Sequence, residues 1–501
     1  MKKYDSIVVG SGAAGLTMAS LLGLNGHKIL LLEKGPHIGG SIGRFYRKKI
    51  PFDIGLHFSG GLHEGGIFNN VLKILGLNDF VKPLFFPEGV ELSYIFEAEG
   101  KEYLLPTYGV KDIKDRLIDY FPAESKAIDK YFQMVQDVCD NTAAMDLGNF
   151  SAKHRTLDED FASLDEVLQT LTPDPLLRGL ISAYAMCYGV KPSEISFANH
   201  ARMCMNYYES IATLEGGGGA LLDAFKEIFK KIDIDIRCNA SIAELAEIND
   251  SRVNRFVLNT GEEVAADNCV FTIHPQSILE LIPEKSVSKA FRNRVASFEP
   301  SMGFFVVFAA LNDATKGNEN EPNVVSIFPH SDVNRLLDPH YKGEESLFVI
   351  RSLEKTKDGN LNPLQLLQPA FPGDTQKWEG SIRGQRPQEY LDYKAAKVEK
   401  IKAHYFKYFP RREDGFNLID SASMLTFKDY LNNHDGCAYG IKQKIGQFNL
   451  VGKLPLLNLF AAGQSAVLPG VVGAMMSSFI VSKTILDKDQ YERLVGKYNG
   501  T

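Results

Sequence analysis

The sequence predicts an α/β fold built on a Rossmann-like nucleotide-binding domain. Three consecutive features predict it: an apolar strand at residues 5–9, a glycine fingerprint at 10–15, and a second apolar strand at 28–32 that ends on an acid. An apolar helix over 13–24 joins the two strands. Glycines in this strand–turn–helix–strand context are typical of dinucleotide binding.

Each residue of the fingerprint has a physical task. Gly10 allows the tight turn, Gly12 lets the backbone approach a pyrophosphate, and Gly15 lets the helix pack closely on the strand. The helix N-terminus offers free N–H groups and partial positive charge to phosphates. Glu33 follows Gly15 by eighteen residues, near the spacing of an acid that accepts from a ribose 2′-hydroxyl. This acid favours FAD or NAD over NADP.

Length and charge narrow the class of protein. A chain of 501 residues can form two or three domains with a large core. The net charge of −7 without a long basic run argues against a nucleic-acid partner. The six cysteines form no Cys-x-x-Cys pair, and no histidine spacing suggests a metal site. We expect free thiols, no metal and a cytoplasmic location, since the first strand begins within five residues of Met1 with no signal peptide before it.

The order of the segments predicts a nucleotide-binding domain that is interrupted twice. Its parts are residues 1–75, 214–295 and 426–501. A substrate-binding domain of mixed α+β character takes residues 76–213 and 296–425. Further elements are expected as follows: a helix over 220–231 after the glycine run 216–219, a strand at 234–237, hairpin strands at 255–258 and 263–272, strands at 303–309 and 346–352, a charged helix over 387–409, a strand at 456–462 and a helix from about 473 to 486. No apolar strand is expected before the glycine run, which argues against a second, nicotinamide nucleotide site.

Several motifs together resemble a known family. They are Gly10-x-Gly12-x-x-Gly15 with Glu33, Gly39-Gly40, Phe52-Asp53-Ile54-Gly55-Leu56-His57-Phe58, the glycine run 216–219, Leu425-Thr426-Phe427, Gly436-Cys437-Ala438-Tyr439-Gly440, Ala462-Gly463-Gln464, and Pro469-Gly470-Val471-Val472-Gly473-Ala474. With them the chain resembles the FAD-dependent amine-oxidase-like superfamily, and within it the carotenoid desaturase, carotenoid isomerase and retinol saturase branch. The two ends match well, and the middle matches only in general pattern.

The resemblance implies one FAD bound by a GR2-type Rossmann-like domain. The residues it implies for cofactor binding are Gly10, Gly12, Ala13, Ala14, Gly15, Glu33, Lys34, Gly39, Gly40, Ser41, Gly55, Leu56, His57, Ile242, Gly463, Gln464, Gly470, Val471, Val472 and Ala474. Many relatives carry an acid where this chain has Gln464, and many amine oxidases carry an arginine where it has Ser41. The sequence gives no clear role to Arg44.

The resemblance also implies the chemistry: hydride transfer between flavin N5 and a carbon–carbon unit of an apolar polyene or isoprenoid lipid. His57 is the candidate catalytic residue, as a proton donor or a substrate-orienting group; a structural histidine is equally consistent with the sequence. Saturation, desaturation and isomerisation would share one architecture, and the motifs around His57 and Gln464 favour a saturase or isomerase. The alternatives are a phytoene-type desaturase, a flavin amine oxidase and a flavin-free prenyl-lipid escort. An amine oxidase would be expected to carry an aromatic sandwich near the C-terminal motif, for which Tyr439 is the one obvious candidate and the sequence shows no partner.

Two further regions bear on the substrate. An aromatic and methionine cluster is a candidate polyene-tunnel lining or ordinary core; its members are Tyr184, Met186, Tyr188, Met203, Met205, Tyr207 and Tyr208. The run 83–87 is either a membrane-dipping tip or a buried loop, so peripheral membrane contact is one expectation. Cys437 is expected to be a small apolar neighbour of the cofactor and not a covalent link to it. The sequence predicts no oligomeric state.

Overall fold

The structure, a computed structural model, describes residues 1–143, 146–151, 156–312, 321–354 and 361–496. It has the mixed α/β architecture that the sequence predicts, with two large sheets and helices packed around them.

The strands, in chain order, are β1 (Lys2–Val9), β2 (Ile29–Leu32), β3 (Arg44–Arg47), β4 (Ile50–Asp53), β5 (Ser59–Gly60), β6 (Pro83–Phe85), β7 (Glu91–Phe96), β8 (Lys101–Pro106), β9 (Ile211–Leu214), β10 (Ile234–Arg237), β11 (Ile242–Asn249), β12 (Arg252–Leu258), β13 (Glu263–Phe271), β14 (Gly303–Asn312), β15 (Val324–Phe328), β16 (Leu347–Arg351), β17 (Leu361–Ala370), β18 (Phe416–Ala422), β19 (Gly452–Lys453) and β20 (Leu459–Ala461).

The α-helices are α1 (Ala13–Leu24), α2 (Ile67–Leu75), α3 (Val110–Tyr120), α4 (Ser125–Asp140), α5 (Leu164–Leu171), α6 (Pro175–Ser182), α7 (Phe197–Glu209), α8 (Gly217–Phe229), α9 (Pro275–Leu281), α10 (Lys289–Ala296), α11 (Val333–Leu336), α12 (Gln388–Tyr408), α13 (Met424–Leu431), α14 (Gly470–Ser482) and α15 (Lys488–Gly496).

The first sheet brings the two ends of the chain together. Its strand order is β10-β2-β1-β13-β12-β11, and β20, near the C-terminus, pairs with β13. β1 runs parallel to β2 and to β13, and β13 runs parallel to β20. Parallel strands end at the same edge, so the loops after these four strands emerge side by side.

Helix α1 is buried on nearly every side, because it lies between this sheet and α14. Its sequence is therefore apolar all round and lacks the one-sided pattern of a surface helix. α14 has the same character. The packing of α1 against α14 therefore brings the glycine fingerprint at 10–15 close to the C-terminal motif at 469–474.

Most predicted elements of this region are confirmed. α1 has the predicted bounds, and β12 and β13 form the predicted antiparallel pair. α8 begins at Gly217 inside the glycine run, three residues before the prediction, and β20 is shorter than the predicted strand. The expectation that no strand precedes the glycine run is wrong: β9 ends two residues before Gly216, held between β5 and β6.

The second sheet has the order β18-β14-β17-β16-β15-β7-β8. It takes β7 and β8 from one of the two segments predicted for a substrate-binding domain and the remaining strands from the other. Helix α12, predicted as a charged helix, covers one face of this sheet through Val398, Ile401 and Tyr405. The domain boundaries themselves stay a prediction.

No helix within the described part of the chain combines the length and the apolar character needed to cross a membrane.

Candidate functional site

The end of β13 joins the two glycine-rich ends of the chain. The Thr272 hydroxyl lies 3.0 Å from the carbonyl oxygen of Val9 and 3.2 Å from that of Gly10. Gly463 follows β20 with φ +115°, and a Cβ built on it would lie 3.4 Å from the Thr272 carbonyl oxygen. Gly10 and Gly463 therefore flank one residue at the carboxyl edge of the sheet.

The glycine fingerprint has the geometry that a dinucleotide needs. A Cβ at Gly15 would lie 1.8 Å from the Gly10 carbonyl oxygen, so only glycine allows this contact between helix and turn. A Cβ at Gly12, in contrast, would meet no atom within 4 Å and would project into open space at the start of α1. This open cradle at the helix N-terminus is where phosphate groups approach in such folds, so the residues present fit the cofactor that the sequence implies.

The N-termini of α1 and α14 both lack a capping side chain and an acid in the first turn. The helices pack together, and the Ser478 hydroxyl donates to the Ala14 carbonyl oxygen at 2.8 Å. Val471 and Val472 in the first turn of α14 are half-buried, and Ala474 is buried. Two uncapped N-termini leave backbone donors free for an anionic or electron-rich ligand.

Glu33 is held by a residue that the sequence analysis missed. One carboxylate oxygen accepts from the Ser11 amide at 3.1 Å and from the Ser11 hydroxyl, and the other accepts from the Gly35 amide at 2.6 Å. Ser11 also accepts through its carbonyl oxygen from the Gly39 amide at 3.0 Å. Ser11 therefore fixes the acid and the paired glycines together; a serine between two glycines carries no signal of this in the sequence. Lys34, next to the acid, is exposed.

The segments after the second strand close around this turn. A Cβ on Gly40 would lie 3.2 Å from the Gly12 Cα, and one on Gly55 would lie 3.1 Å from the Ser41 carbonyl oxygen. Leu56 is buried in the same core as α1 and α14. Gly40 thus lies against the glycine fingerprint, and Gly55 lies against Ser41.

Two other predicted cofactor residues lie at its periphery. Ile242 is buried at the start of β11, next to a segment whose Ala240 amide donates to the Glu33 carbonyl oxygen at 2.9 Å. Gln464 is half-buried, and its carbonyl oxygen accepts from the Gln443 side chain at 3.3 Å. The Gln464 amide group makes no hydrogen bond to a described residue.

Arg44 has a clear structural role that the sequence did not reveal. It forms a bidentate ion pair with Asp53, at 2.9 and 2.7 Å, and a further ion pair with Glu354 at 2.8 Å. Asp53 also accepts from the Gly218 amide at 2.9 Å, and Glu354 accepts from the Gly216 amide. The N-terminus of α8 is thus closed by protein carboxylates, so the glycine run is a structural junction although a strand precedes it.

His57 lies at a cavity between the β3–β4 hairpin, β9 and the second sheet, beside this junction. It is half-buried, and burial lowers the pKa of its imidazole, while Asp53 opposes that shift. The Gln365 side-chain nitrogen lies 3.4 Å from His57 Nδ1. The cavity is lined on its polar side by Arg44, Asp53, Arg351, Glu354 and Gln365, and on its apolar side by Phe58, Phe86, Thr213, Val324 and Ile350. The predicted residue therefore faces both charged and apolar walls.

The aromatic cluster belongs to one core, which meets the lining of this cavity at Phe58, Phe86 and Val324. Tyr207 packs edge-on against Phe58, with ring centroids 6.3 Å apart, and Tyr184 packs against Tyr207 at 6.0 Å. Tyr188 and Tyr208 are also buried. Their hydroxyls join a buried network with Tyr131 and His200, through Tyr188–His200, Tyr131–His200 and Tyr131–Tyr208 contacts of 2.8 to 2.9 Å.

Residues near the C-terminal motif show two further contacts. The buried Cys437 thiol donates to the His434 carbonyl oxygen at 3.0 Å, and burial raises the pKa of this thiol to about 12. The Tyr439 hydroxyl donates to the Met186 carbonyl oxygen at 3.0 Å, and its ring meets Phe304 edge-on. Among the described residues, the Tyr439 ring therefore meets its aromatic neighbour edge-on and not in parallel. The residues that the structure describes contain no group of three or more metal-binding side chains close enough to hold a metal ion.

Comparison with known proteins gives the class first. A family model of an NAD(P)-binding Rossmann-like domain matches residues 8–75. Among solved structures, a putrescine oxidase has a TM-score of 0.65 at 13% identity, with 96% of this chain and 99% of that chain covered. At that identity the match shows the fold alone. Together these findings indicate an oxidoreductase-type fold with a flavin or nucleotide cofactor.

Sequence relatives narrow the class. The all-trans-retinol 13,14-reductase of Macaca fascicularis is 24% identical, with 98% of this chain and 87% of that protein covered. A prolycopene isomerase of an Oncidium hybrid cultivar is 27% identical over 29% of this chain and 24% of its own length. The chain thus fits the carotenoid and retinol branch of the FAD-dependent amine-oxidase-like superfamily, as its motifs predicted.

Proposed function

We propose that this protein is an FAD-dependent oxidoreductase acting on carbon–carbon double or single bonds of an apolar polyene or isoprenoid lipid. The observation that carries the proposal is similarity to retinol 13,14-reductases over nearly the whole chain, together with a dinucleotide cradle whose residues are all present. Bound FAD would supply a hydride donor or acceptor at its N5 atom.

The chain's own residues would bind the cofactor from both ends. The first turn of α1 with Gly12 would receive the pyrophosphate, and Glu33 would accept from the ribose. The first turn of α14, at Val471 and Val472, would direct its N–H groups and helix dipole toward electron-rich ring atoms. These roles rest on the family likeness and on the placement of both helix N-termini at one sheet edge.

The cavity at His57, about 40 Å³ in volume, would hold the part of the substrate that meets the imidazole. A polyene has no ionisable handle, so catalysis would depend on holding it in a water-poor site at a fixed position. Phe58, Phe86 and Ile350 supply apolar walls, and His57 is the one imidazole that lines the described cavity. His57 would orient the substrate or exchange a proton with it.

The proposal is tested by anaerobic incubation of the oxidised and the reduced holoenzyme with a panel of polyenes, followed by mass analysis. A gain of two hydrogens identifies saturation, and a loss of two identifies desaturation. Unchanged mass with altered double-bond geometry identifies isomerisation. If neither redox state alters any polyene while a primary amine is oxidised, the protein is an amine oxidase and the proposal is wrong.

A further inference from the structure

His57 has two ring nitrogens with different surroundings. Nδ1 faces the Gln365 side-chain nitrogen at 3.4 Å, whereas Nε2 has no hydrogen-bond partner among the described residues. The His57 ring is part of the cavity lining. A neutral imidazole carries one proton, and the hydrogen bond made by one nitrogen decides which nitrogen carries it.

The orientation of the Gln365 amide is fixed independently of His57. Its nitrogen also lies 3.3 Å from the Asp53 carbonyl oxygen, which can only accept a hydrogen bond. The NH₂ group must therefore face this region, and the amide oxygen must point away. Gln365 is buried in the middle of β17, so its side chain has little freedom to turn over.

We propose that Gln365 is a positioning residue that holds His57 as a neutral ring with its proton on Nε2, directed into the cavity. An NH₂ group can donate but not accept, so His57 Nδ1 has to be the acceptor. The cavity then receives a neutral N–H donor rather than an imidazolium acid. The contact between this donor and a substrate rests on the proposed function. The position of the proton on the ring is independent of the proposed function.

The charges around the ring are consistent with a neutral imidazole. Asp53 is engaged by Arg44 in a bidentate ion pair, and Glu354 is engaged by the same guanidinium. Arg351 on the cavity wall is paired with the Glu321 carboxylate at 3.4 Å, so these two charges compensate each other. Both acids near His57 are thus compensated without a proton on the imidazole. Desolvation is the largest effect on its pKa and lowers it.

The role predicted for the ring is a donor for an oxygen atom. A neutral Nε2–H stabilises a hydroxyl or carbonyl oxygen without transferring a full charge. Such a group would hold a hydroxyl or carbonyl oxygen at the end of an isoprenoid chain or along it. A pure hydrocarbon offers no acceptor to it, so we expect oxygenated polyenes to depend on His57 and Gln365 more strongly than hydrocarbons do.

The direct test is ¹⁵N NMR of holoenzyme that contains ring-labelled histidine, with His57→Asn to assign the His57 signals. We expect a pyridine-type Nδ1 and a pyrrole-type Nε2 at neutral pH. In Gln365→Glu the new carboxylate accepts from Nδ1–H, so the proton should move to Nδ1 and the midpoint of the His57 titration should rise by about one to three pH units. Gln368→Glu is the matched control, because Gln368 lies on the opposite face of β17, bonded to Lys397, and should change neither signal.

Gln365→Leu gives a second route if the buried carboxylate prevents folding. Without the donor, a share of the Nδ1–H form should appear, and turnover of oxygenated polyenes should fall more than turnover of hydrocarbons. A wild-type ring protonated on Nδ1, or a ring unchanged in both Gln365 variants, overturns the inference. These NMR results are obtained without substrate. A ring protonated on Nδ1 would therefore overturn the inference and leave the proposed function standing, and a protein that alters no polyene would overturn the proposed function and leave the inference standing.

Discussion

Arg44 and Asp53 face each other across the β3–β4 hairpin in a bidentate ion pair whose side chains are about nine-tenths buried. The pair joins three parts of the chain, since Asp53 also caps α8 through Gly218 and Arg44 also binds Glu354. It therefore fixes the strand that leads to His57. The Asp53-x-Gly55-x-His57 motif combines a structural anchor and a candidate catalytic residue.

Removing Asp53 should destabilise the protein strongly. Asp53→Ala leaves the Arg44 guanidinium short of a partner and α8 without its cap, so the free energy of unfolding should fall by about 3–5 kcal/mol. Urea unfolding measures the change. Arg47→Ala on the same hairpin is the control: its ion pair with Asp420 is exposed, and its loss should cost no more than about 1 kcal/mol. Equal effects of the two substitutions would contradict this role for Asp53.

Gly12 and Gly15 should separate cofactor binding from folding. Gly12→Ala places a methyl group in open space, so stability should change by about 1 kcal/mol or less while FAD affinity falls sharply. Gly15→Ala puts its methyl group against the Gly10 carbonyl oxygen, so the protein itself should lose stability. Titration of apoprotein with FAD and urea unfolding distinguish the two. Unchanged FAD binding in Gly12→Ala would show that the open space at Gly12 does not bind the cofactor.

His57→Ala should lower turnover by about a hundredfold and leave FAD bound, because His57 lines the cavity and lies outside the dinucleotide cradle. Steady-state turnover and the flavin absorbance of the purified variant give the two readouts. The exposed His340→Ala serves as the control and should behave like wild type. Full activity in His57→Ala would show that the histidine is structural.

His200 should make the protein sensitive to acid. Burial lowers the pKa of His200 to about 3 in the folded state, against about 6.5 when unfolded. Between these values the unfolded chain binds a proton that the folded chain does not, so stability is fully present above about pH 6.5 and falls as the pH drops toward 3. Urea unfolding at pH 7 and pH 5 should show this loss.

The matched variant for that measurement is His200→Gln, which keeps hydrogen-bonding groups near Tyr131 and Tyr188 but cannot titrate. It should lose less stability between pH 7 and pH 5 than wild type does. His340→Gln should keep the wild-type difference. Parallel pH curves for wild type and His200→Gln would show that other groups cause the acid sensitivity.

Peripheral membrane contact should depend on the segment around β6. Phe80 and Phe85 are each about two-fifths exposed, and Phe86 in the same segment lines the His57 cavity. Replacing Phe80 and Phe85 by serine should lower the fraction that floats with liposomes, and replacing the more exposed Phe448 should not. Wild-type protein that stays entirely with the soluble fraction would contradict peripheral membrane contact.

The sequence predicts local structure well where one residue type has one physical role. Gly10, Gly12 and Gly15 predict the turn and the start of α1. The same residues predict which edge of the first sheet would bind the cofactor, because β1 and β2 are parallel and close together in the sequence. The family motifs then place the C-terminal helix at that edge.

Long-range pairing is what the sequence could not reveal. Arg44 and Glu354 are 310 positions apart, and His57 and Gln365 are 308 apart. No spacing rule connects such residues, since their contact depends on how the second sheet meets the β3–β4 hairpin and the loop after it. The sequence did not predict β9 for a similar reason. The four residues of this strand pair only with β5 and β6 in the described structure, and these strands lie far from it in the sequence.

Both ends of the chain should bind one FAD molecule. The absorbance spectrum of the purified protein, followed by denaturation and analysis of the released nucleotide, measures this. We predict a yellow protein that releases one equivalent of FAD per chain. A colourless protein that also fails to bind added FAD would show that the two ends of the chain do not form an FAD site.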